Sequence, residues 1–312
     1  MKPEILVVDP WHPATLEALD HQFVTNKLWL AADGGALLAA CAERVRAIAT
    51  SPFPRVDASL IDALPKLEII SCFGVGVDAI DLAAAKRRNI AVTNAPNVMN
   101  DCVADLTLGL IIAVARRVCE GDRFVRSGRW LTGTMSPTRK VSGKRLGIVG
   151  MGRIGKVIAR RAAAFDMAIA YHSRGRVAES PFTYFERLVD LAANSDFLVV
   201  IVPGGKETRR LINEEVMRAL GPDGILVNVA RGSVVDEQAL VKCLQEGALG
   251  GAALDVFENE PKVPEALYAM ENVVLQPHVG SATHETRTAM GRLAIDNLLA
   301  HFAGKPLLTP VI

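Results

Sequence analysis

One segment limits the possible folds more than any other. Leu146-Gly147-Ile148-Val149 is an apolar run that leads directly into Gly150-Met151-Gly152-Arg153-Ile154-Gly155, and a helix-forming stretch follows from Lys156-Val157-Ile158-Ala159. A bare GxGxxG is a common glycine-rich turn; a strand before it and a helix after it make it the opening of a βαβ unit, in which each glycine answers a separate steric demand. Gly150 permits the tight turn, Gly152 lets backbone N–H groups approach a pyrophosphate, and Gly155 lets the helix pack close to the strand. The helix N-terminus adds a partial positive charge. The expectation is a dinucleotide held along residues 150–155, by Gly150, Met151, Gly152, Arg153, Ile154 and Gly155.

The rest of the chain fits around that unit. Short β-branched runs recur at 5–8, 47–50, 68–73 and 90–93, and again at 145–149, 168–171, 197–202, 225–229, 251–256 and 273–276. Helix-length segments such as 81–88, 156–165 and 236–246 separate them. The runs lack strict polar alternation, which is the pattern of parallel strands buried on both faces. Asn94-Ala95-Pro96-Asn97 is a turn cluster, followed by one long helical stretch over 99–119. Gly280-Ser281-Ala282-Thr283 precedes a final helix over 284–302. The expected class is therefore α/β, with two doubly wound parallel-sheet domains. Residues 98–280 form a Rossmann-type dinucleotide-binding domain. Residues 1–97 and 281–312 form a flavodoxin-like substrate domain, with a ligand cleft between the two.

Composition removes several classes of partner. A chain of 312 residues that is 50% hydrophobic can bury two cores. Lys+Arg is 35 against Asp+Glu 34, a formal net charge of +1, so no global field draws nucleic acid or an acidic membrane. Cys41, Cys72, Cys102, Cys119 and Cys243 are scattered and odd in number, with no CxxC. This argues against a disulfide framework or a metal site and for a reducing compartment. The N-terminal apolar run is too short for a signal peptide, and the uncharged run 106–115 is too short to span a bilayer. The expected location is the cytoplasm.

The strand at 168–171 runs into His172-Ser173-Arg174-Gly175-Arg176. An NAD site carries Asp or Glu at this strand end to bond the ribose hydroxyls, and no acid lies between Asp166 and Glu179. Ser173, Arg174 and Arg176 suit a 2′-phosphate instead. The reading is NADP(H) preferred, with NAD(H) accepted; a solvated basic loop is the plain alternative.

Three further segments carry chemistry. Arg231 lies just past the strand ending at 229, Glu260 beyond the strand ending at 256, and His278 beyond the strand ending at 276. Carboxyl ends of parallel strands face the ligand crevice, so the three can converge. Reduction of a 2-keto acid needs a proton donor for the developing alkoxide and a cation for the carboxylate. An imidazole titrates near neutrality and can donate the proton from His278. Glu260 can bond its other ring nitrogen, and Arg231 can grip the carboxylate and polarise the carbonyl.

Together with Cys72-Phe73-Gly74-Val75-Gly76-Val77-Asp78, Asn228-Val229-Ala230-Arg231-Gly232, Leu254-Asp255-Val256-Phe257, Glu260-Pro261 and Pro277-His278-Val279-Gly280-Ser281, these segments resemble the D-isomer-specific 2-hydroxyacid dehydrogenase family over nearly the whole chain. The likeness is greatest to its glyoxylate/hydroxypyruvate and hydroxyphenylpyruvate reductases. The resemblance implies that Arg231 binds substrate, Glu260 supports the histidine and His278 donates the proton. It implies that backbone N–H groups of Val75 and Gly76 hold the substrate carboxylate and that Ser281 lines the pocket. Asp255 would hold the nicotinamide carboxamide, and Val202, Pro203, Val229, Ala230, His278 and Gly280 would border the cofactor. It further implies a homodimer formed through the helix at 99–119 and the arm around Trp130, which either reaches the partner's substrate pocket or is an interface aromatic. Gly204-Gly205 replaces the family's usual Leu-Thr pair, which points to a more mobile loop and a less certain substrate preference. The expectation is that no appended regulatory domain follows the last helix. The alternatives are a phenylpyruvate or hydroxyphenylpyruvate reductase on the same scaffold and, from another class, a nucleotide-sensing, corepressor-like interaction protein.

Overall fold

The structure, a computed structural model, describes residues 2–312. The chain divides into two compact units, one running through Met99 and completed by Thr283–Ile312, the other Asn100–Ala282. Each is built on its own parallel sheet.

The smaller unit contains β1 (Glu4–Val7), α1 (Pro13–Gln22), β2 (Val24–Lys27), α2 (Gly34–Cys41), β3 (Val45–Thr50), α3 (Ala58–Asp62), β4 (Ile69–Cys72), α4 (Leu82–Arg87) and β5 (Ala91–Thr93). The strand order is β2-β1-β3-β4-β5, all parallel, so the chain reverses its direction of travel at β1. This is the flavodoxin-like order, whose ligand crevice opens at the carboxyl ends near the reversal. Leu6, Ile48, Ile70 and Val92 bury completely or nearly so against Val56, Ile61 and Leu64. Asp33, Asp57 and Asp81 each cap a helix start by accepting a backbone N–H three residues on.

The larger unit holds α5 (Asn100–Ala115), α6 (Val118–Arg126), β6 (Arg145–Val149), α7 (Arg153–Ala163), β7 (Ala168–His172), β8 (Thr183–Tyr184), α8 (Leu188–Ala193), β9 (Phe197–Val200), α9 (Glu214–Leu220), β10 (Ile225–Asn228), α10 (Glu237–Gln245), β11 (Gly251–Leu254) and β12 (Val273–Leu275). The parallel order is β12-β11-β10-β9-β6-β7-β8, reversing between β6 and β9. Every residue of β9, β10 and β11 is buried, as a sheet covered on both faces requires. The last helix, α11 (His284–Phe302), belongs to the smaller unit.

Two local expectations need correction. The single helix expected over 99–119 is two helices, because Arg117 adopts a left-handed φ of 51° between them. Its guanidinium pairs with the buried Glu120 one turn on and with Glu271 at 3.6 Å, and these bonds hold the break. The edge strands β2 and β8 also lay outside the expected runs. Val24-Thr25-Asn26-Lys27 is partly exposed and mostly polar, and β8 is two residues long, so neither shows an apolar run.

Among the described residues no helix is long and apolar enough to cross a membrane, and no group of histidine, cysteine and acidic side chains is arranged to hold a metal ion. None of the five cysteines is in a disulfide among the described residues.

Candidate active site

The phosphate loop lies at the carboxyl end of β6, beside the sheet's reversal point. Gly150 has φ 108°, and a Cβ there would collide with the carbonyl of Ile201 past β9. A Cβ on Gly155 would strike the carbonyl of Gly150, so glycine alone lets α7 begin this close to the strand. A Cβ on Gly152 would meet nothing within 4 Å, so the loop is open where a ligand would approach. No side chain caps α7. The amides of Arg153, Ile154 and Gly155 find no acceptor among the described residues. Uncapped amides at a helix start beside open space fit a pyrophosphate. Beyond β9, the Thr208 hydroxyl closes the Gly204–Gly205 loop by donating to the Pro203 carbonyl at 2.7 Å.

At the end of β7 the Ser173 hydroxyl donates to the Gly175 carbonyl at 2.7 Å, and Val177 N–H donates to the Tyr171 hydroxyl at 2.9 Å. These bonds shape a turn that exposes Arg174 and Arg176, neither of which has an ion-pair partner among the described residues. The serine proton is thus committed to the loop, and the two guanidiniums are what the loop offers a ligand.

Arg231, Glu260 and His278 follow β10, β11 and β12, three neighbouring strands. Gly232 allows the first two loops to meet: a Cβ there would overlap the backbone of Phe257 and Glu258. Asn228 holds the turn between, its amide donating to the Arg231 carbonyl at 3.1 Å and its carbonyl accepting from Ala230 N–H at 3.1 Å. Val229 and Ala230 are buried beneath. Glu260 Oε2 lies 2.8 Å from His278 Nδ1, and its Oε1 accepts the Phe257 N–H at 3.0 Å. Burial alone would raise the Glu260 carboxyl. The bond from His278 and that residue's charge, the Phe257 N–H and the Arg231 charge outweigh it and hold the group below the usual carboxylate range. With Nδ1 engaged by Glu260, Nε2 is the nitrogen placed to deliver a proton.

His278 itself has a left-handed φ of 54°, costly for a residue with a Cβ and sustained by surrounding bonds. Asp255 supplies them. Its backbone carbonyl accepts the His278 N–H at 2.8 Å, and its buried carboxylate accepts Val279 N–H at 2.7 Å and Gly280 N–H at 2.8 Å. Burial pushes this carboxyl upward, against the pull of those two amides. Ser281, partly buried, follows directly. The Asp255 clamp was not visible in the sequence, because it joins residues 24 and 25 positions apart through backbone groups every residue possesses. Glu258 is likewise held, by Arg209 at 2.6 Å and through its N–H to Glu237 at 2.6 Å.

In the smaller unit, Val75 and Gly76 follow β4 at its carboxyl end. Their N–H groups have no acceptor among the described residues, whereas the carbonyls of Gly74 and Val75 each accept a hydrogen bond. Two adjacent outward amides can bind an anion.

Comparison with known proteins agrees with this geometry. The family described as D-isomer specific 2-hydroxyacid dehydrogenase, NAD binding domain, matches residues 108–280. The chain is 51% identical over 308 residues to hydroxyphenylpyruvate reductase of Plectranthus scutellarioides, covering 99% of this chain and 98% of that one. It is 50% identical over 308 residues to glyoxylate/hydroxypyruvate reductase A HPR2 of Arabidopsis thaliana, with the same coverage. The crystal structure of the NADPH-dependent glyoxylate/hydroxypyruvate reductase of Sinorhizobium meliloti, in complex with NADP and malonate, superposes with a TM-score of 0.92 at 44% identity, covering 100% of this chain and 97% of that one. The chain is an oxidoreductase and belongs to the D-isomer-specific 2-hydroxyacid dehydrogenase family.

Proposed function

We propose that this chain is an NADPH-preferring reductase of small 2-keto acids of the glyoxylate and hydroxypyruvate type, forming D-2-hydroxy acids. The observation that carries the reading is the 2.8 Å pair between His278 and Glu260, held beside Arg231 at the ends of three adjacent strands. Bound nicotinamide supplies the hydride. The chain's own residues do the rest. The amides at the start of α7, with Met151 and Gly152, hold the cofactor's phosphates. Val202, Pro203, Val229, Ala230 and Gly280 border it, and Asp255, whose carboxylate oxygens keep lone pairs beyond the two amides they accept, meets the carboxamide. Val75 and Gly76 present N–H groups to the substrate carboxylate. Arg231 grips the carboxylate and draws charge from the carbonyl, favouring the alkoxide as it forms. His278 gives up its proton from Nε2 to that oxygen while Glu260 holds Nδ1–H and steadies the imidazolium. Ser281 lines the pocket.

NADPH preference rests on Arg174 and Arg176, two exposed guanidiniums with no ion-pair partner among the described residues, at the end of a strand that lacks an acid. The Sinorhizobium reductase was crystallised with NADP, which favours the same preference. We further propose a homodimer, since Val118, Val125, Trp130 and Leu131 leave large apolar side chains 51–91% exposed along one segment. Five cysteines outside any disulfide suit a reducing compartment such as the cytoplasm.

A second reading, reduction of hydroxyphenylpyruvate or phenylpyruvate, is favoured by the 51% identity to a reductase named for that substrate. Initial rates with glyoxylate, hydroxypyruvate, phenylpyruvate and hydroxyphenylpyruvate, each with NADPH and NADH, decide between them. Turnover of none of the four leaves a nucleotide-sensing interaction protein as the better account.

A further inference from the structure

The loop Gly74-Val75-Gly76 presents its amides because its carbonyls are held from behind. In a trans peptide, C=O and N–H point to opposite sides of one rigid plane, so anchoring the first aims the second. The Gly74 carbonyl accepts the Ala95 N–H at 2.8 Å, which aims the N–H of Val75. The Val75 carbonyl accepts Asn94 Nδ2 at 2.8 Å, which aims the N–H of Gly76. Cys72 Sγ lies 3.4 Å from the Gly76 carbonyl and holds the next plane. The Ala95 bond comes from backbone and tolerates any residue but proline. The Asn94 bond comes from a side chain and needs an amide donor of that length.

Asn94 is in turn fixed by the end of the chain. Thr309 Oγ1 donates to the Asn94 carbonyl at 2.6 Å, and Asn94 N–H donates to the Thr309 carbonyl at 3.3 Å. Thr309 Oγ1 accepts Asn297 Nδ2 at 2.8 Å. Asn297, on α11, is completely buried. Its second amide hydrogen goes to the Leu293 carbonyl at 2.9 Å, and its oxygen accepts Leu308 N–H at 3.0 Å and Thr309 N–H at 3.1 Å. Two donors and two acceptor positions are all used, the condition under which a buried amide specifies one arrangement instead of merely costing desolvation.

We propose that Asn94 is a positioning residue that aims the Gly76 N–H at the substrate carboxylate, and that Asn297 and Thr309 set its place from the far end of the chain. The proposal rests on Val75 and Gly76 being the carboxylate binders, as in the proposed function. A mis-aimed amide weakens binding of the carboxylate and leaves the cofactor untouched.

The test uses the full-length protein loaded with NADPH, with two readouts: the KM for hydroxypyruvate and the Kd of oxalate, a planar non-reacting mimic, by calorimetry. Losing one hydrogen bond to a charged group corresponds to about a tenfold change in affinity. Asn94→Ala is expected to raise both constants about tenfold with the KM for NADPH unchanged. Thr309→Val, which removes the bridging hydroxyl but keeps the shape, gives a smaller rise of the same kind, about threefold. Thr309→Ser, which keeps the hydroxyl, matches wild type. A lowered Tm with wild-type KM and oxalate Kd in Asn94→Ala and Thr309→Val would make the cluster a fold clamp and overturn the proposal. Equal losses in Thr309→Val and Thr309→Ser would remove the tail from it. If wild type reduces no keto acid yet binds oxalate in an Asn94-dependent way, the reaction assignment fails and the positioning role stands. If wild type neither reduces keto acids nor binds oxalate, both fall.

Discussion

Two sets of loops leave the carboxyl edge of the larger sheet, and they are built on opposite plans. After β10, β11 and β12, the two acids around His278 are tied down: Glu260 to His278 and to the Phe257 amide, and Asp255 to three backbone N–H groups around His278. After β7, the turn is held by Ser173 to Gly175, Val177 to Tyr171 and Tyr184 to the Ser173 carbonyl, and Arg174 and Arg176 stand exposed with no ion-pair partner among the described residues. The contrast matches two tasks. Stabilising charge that appears only in a transition state requires donors fixed beforehand, since reorientation during reaction would forfeit the gain. Attracting a phosphate requires charge and reach, and a flexible, solvated guanidinium supplies both at the cost of salt sensitivity.

If the comparison holds, damage to the tied loops costs rate and damage to the open loop costs cofactor affinity. The largest effect is expected at His278. His278→Asn keeps a polar side chain at the strained position but removes the proton donor, so kcat for keto acid reduction falls about 10²–10⁴-fold. The KM for NADPH stays near wild type. Retention of more than roughly a third of kcat would contradict a general acid of that magnitude. Arg231→Lys comes next. The charge survives, but an ammonium lacks the planar fork, so kcat/KM for keto acids drops about 10²-fold. Unchanged efficiency would put Arg231 outside the substrate's reach.

The same contrast explains what was legible in the sequence. Arg231, Glu260 and His278 could be read because each sits just past a strongly apolar run, and the geometry of parallel sheets brings such positions to one edge. The phosphate loop could be read because Gly150 and Gly155 meet steric demands that no other residue satisfies. The supporting bonds could not. Asp255 acts on backbone amides of residues 279 and 280, and Asn94 meets Thr309 across 215 positions, with nothing in either residue's neighbours announcing the partner. The break at Arg117 was hidden because the side-chain pattern stays helical through it, and its pairing with Glu120 and Glu271 joins residues whose partnership the sequence does not announce.

The open loop gives the third prediction. Arg174→Ala combined with Arg176→Ala is expected to raise the KM for NADPH by roughly tenfold to a hundredfold, as two exposed charge-assisted contacts are lost. The KM for NADH and kcat should hardly move. In wild type the preference for NADPH should weaken as salt is raised from 50 to about 500 mM, because the Debye length shrinks below the reach of an exposed pair. Equal kcat/KM for the two cofactors in wild type would show that the loop does not read the ribose phosphate.

The smallest effect is expected from Glu260→Gln, and it tests whether the tied loops work through charge or only through shape. The amide keeps an oxygen to accept from His278 Nδ1, so the 2.8 Å contact can persist while the negative charge is lost. Two consequences follow. The carboxyl of Glu260 is held below the usual carboxylate range, since its bonds and neighbouring cations outweigh burial. A group depressed in the folded state contributes stability that is complete above the unfolded carboxylate range and is lost as pH falls through the depressed value. The Tm of wild type should therefore exceed that of Glu260→Gln near neutrality by about 2 °C, the scale of a partly exposed pair, and the gap should close in acid. Catalysis reads the lost charge as well. Glu260→Gln takes a negative charge from beside the ring that passes the proton to substrate, so kcat for reduction should fall about threefold to tenfold while the KM for NADPH stays near wild type. Wild-type kcat with an unchanged Tm would mean that Glu260 acts by shape alone, and the tied loops would then differ from the β7 loop in rigidity but not in their electrostatics.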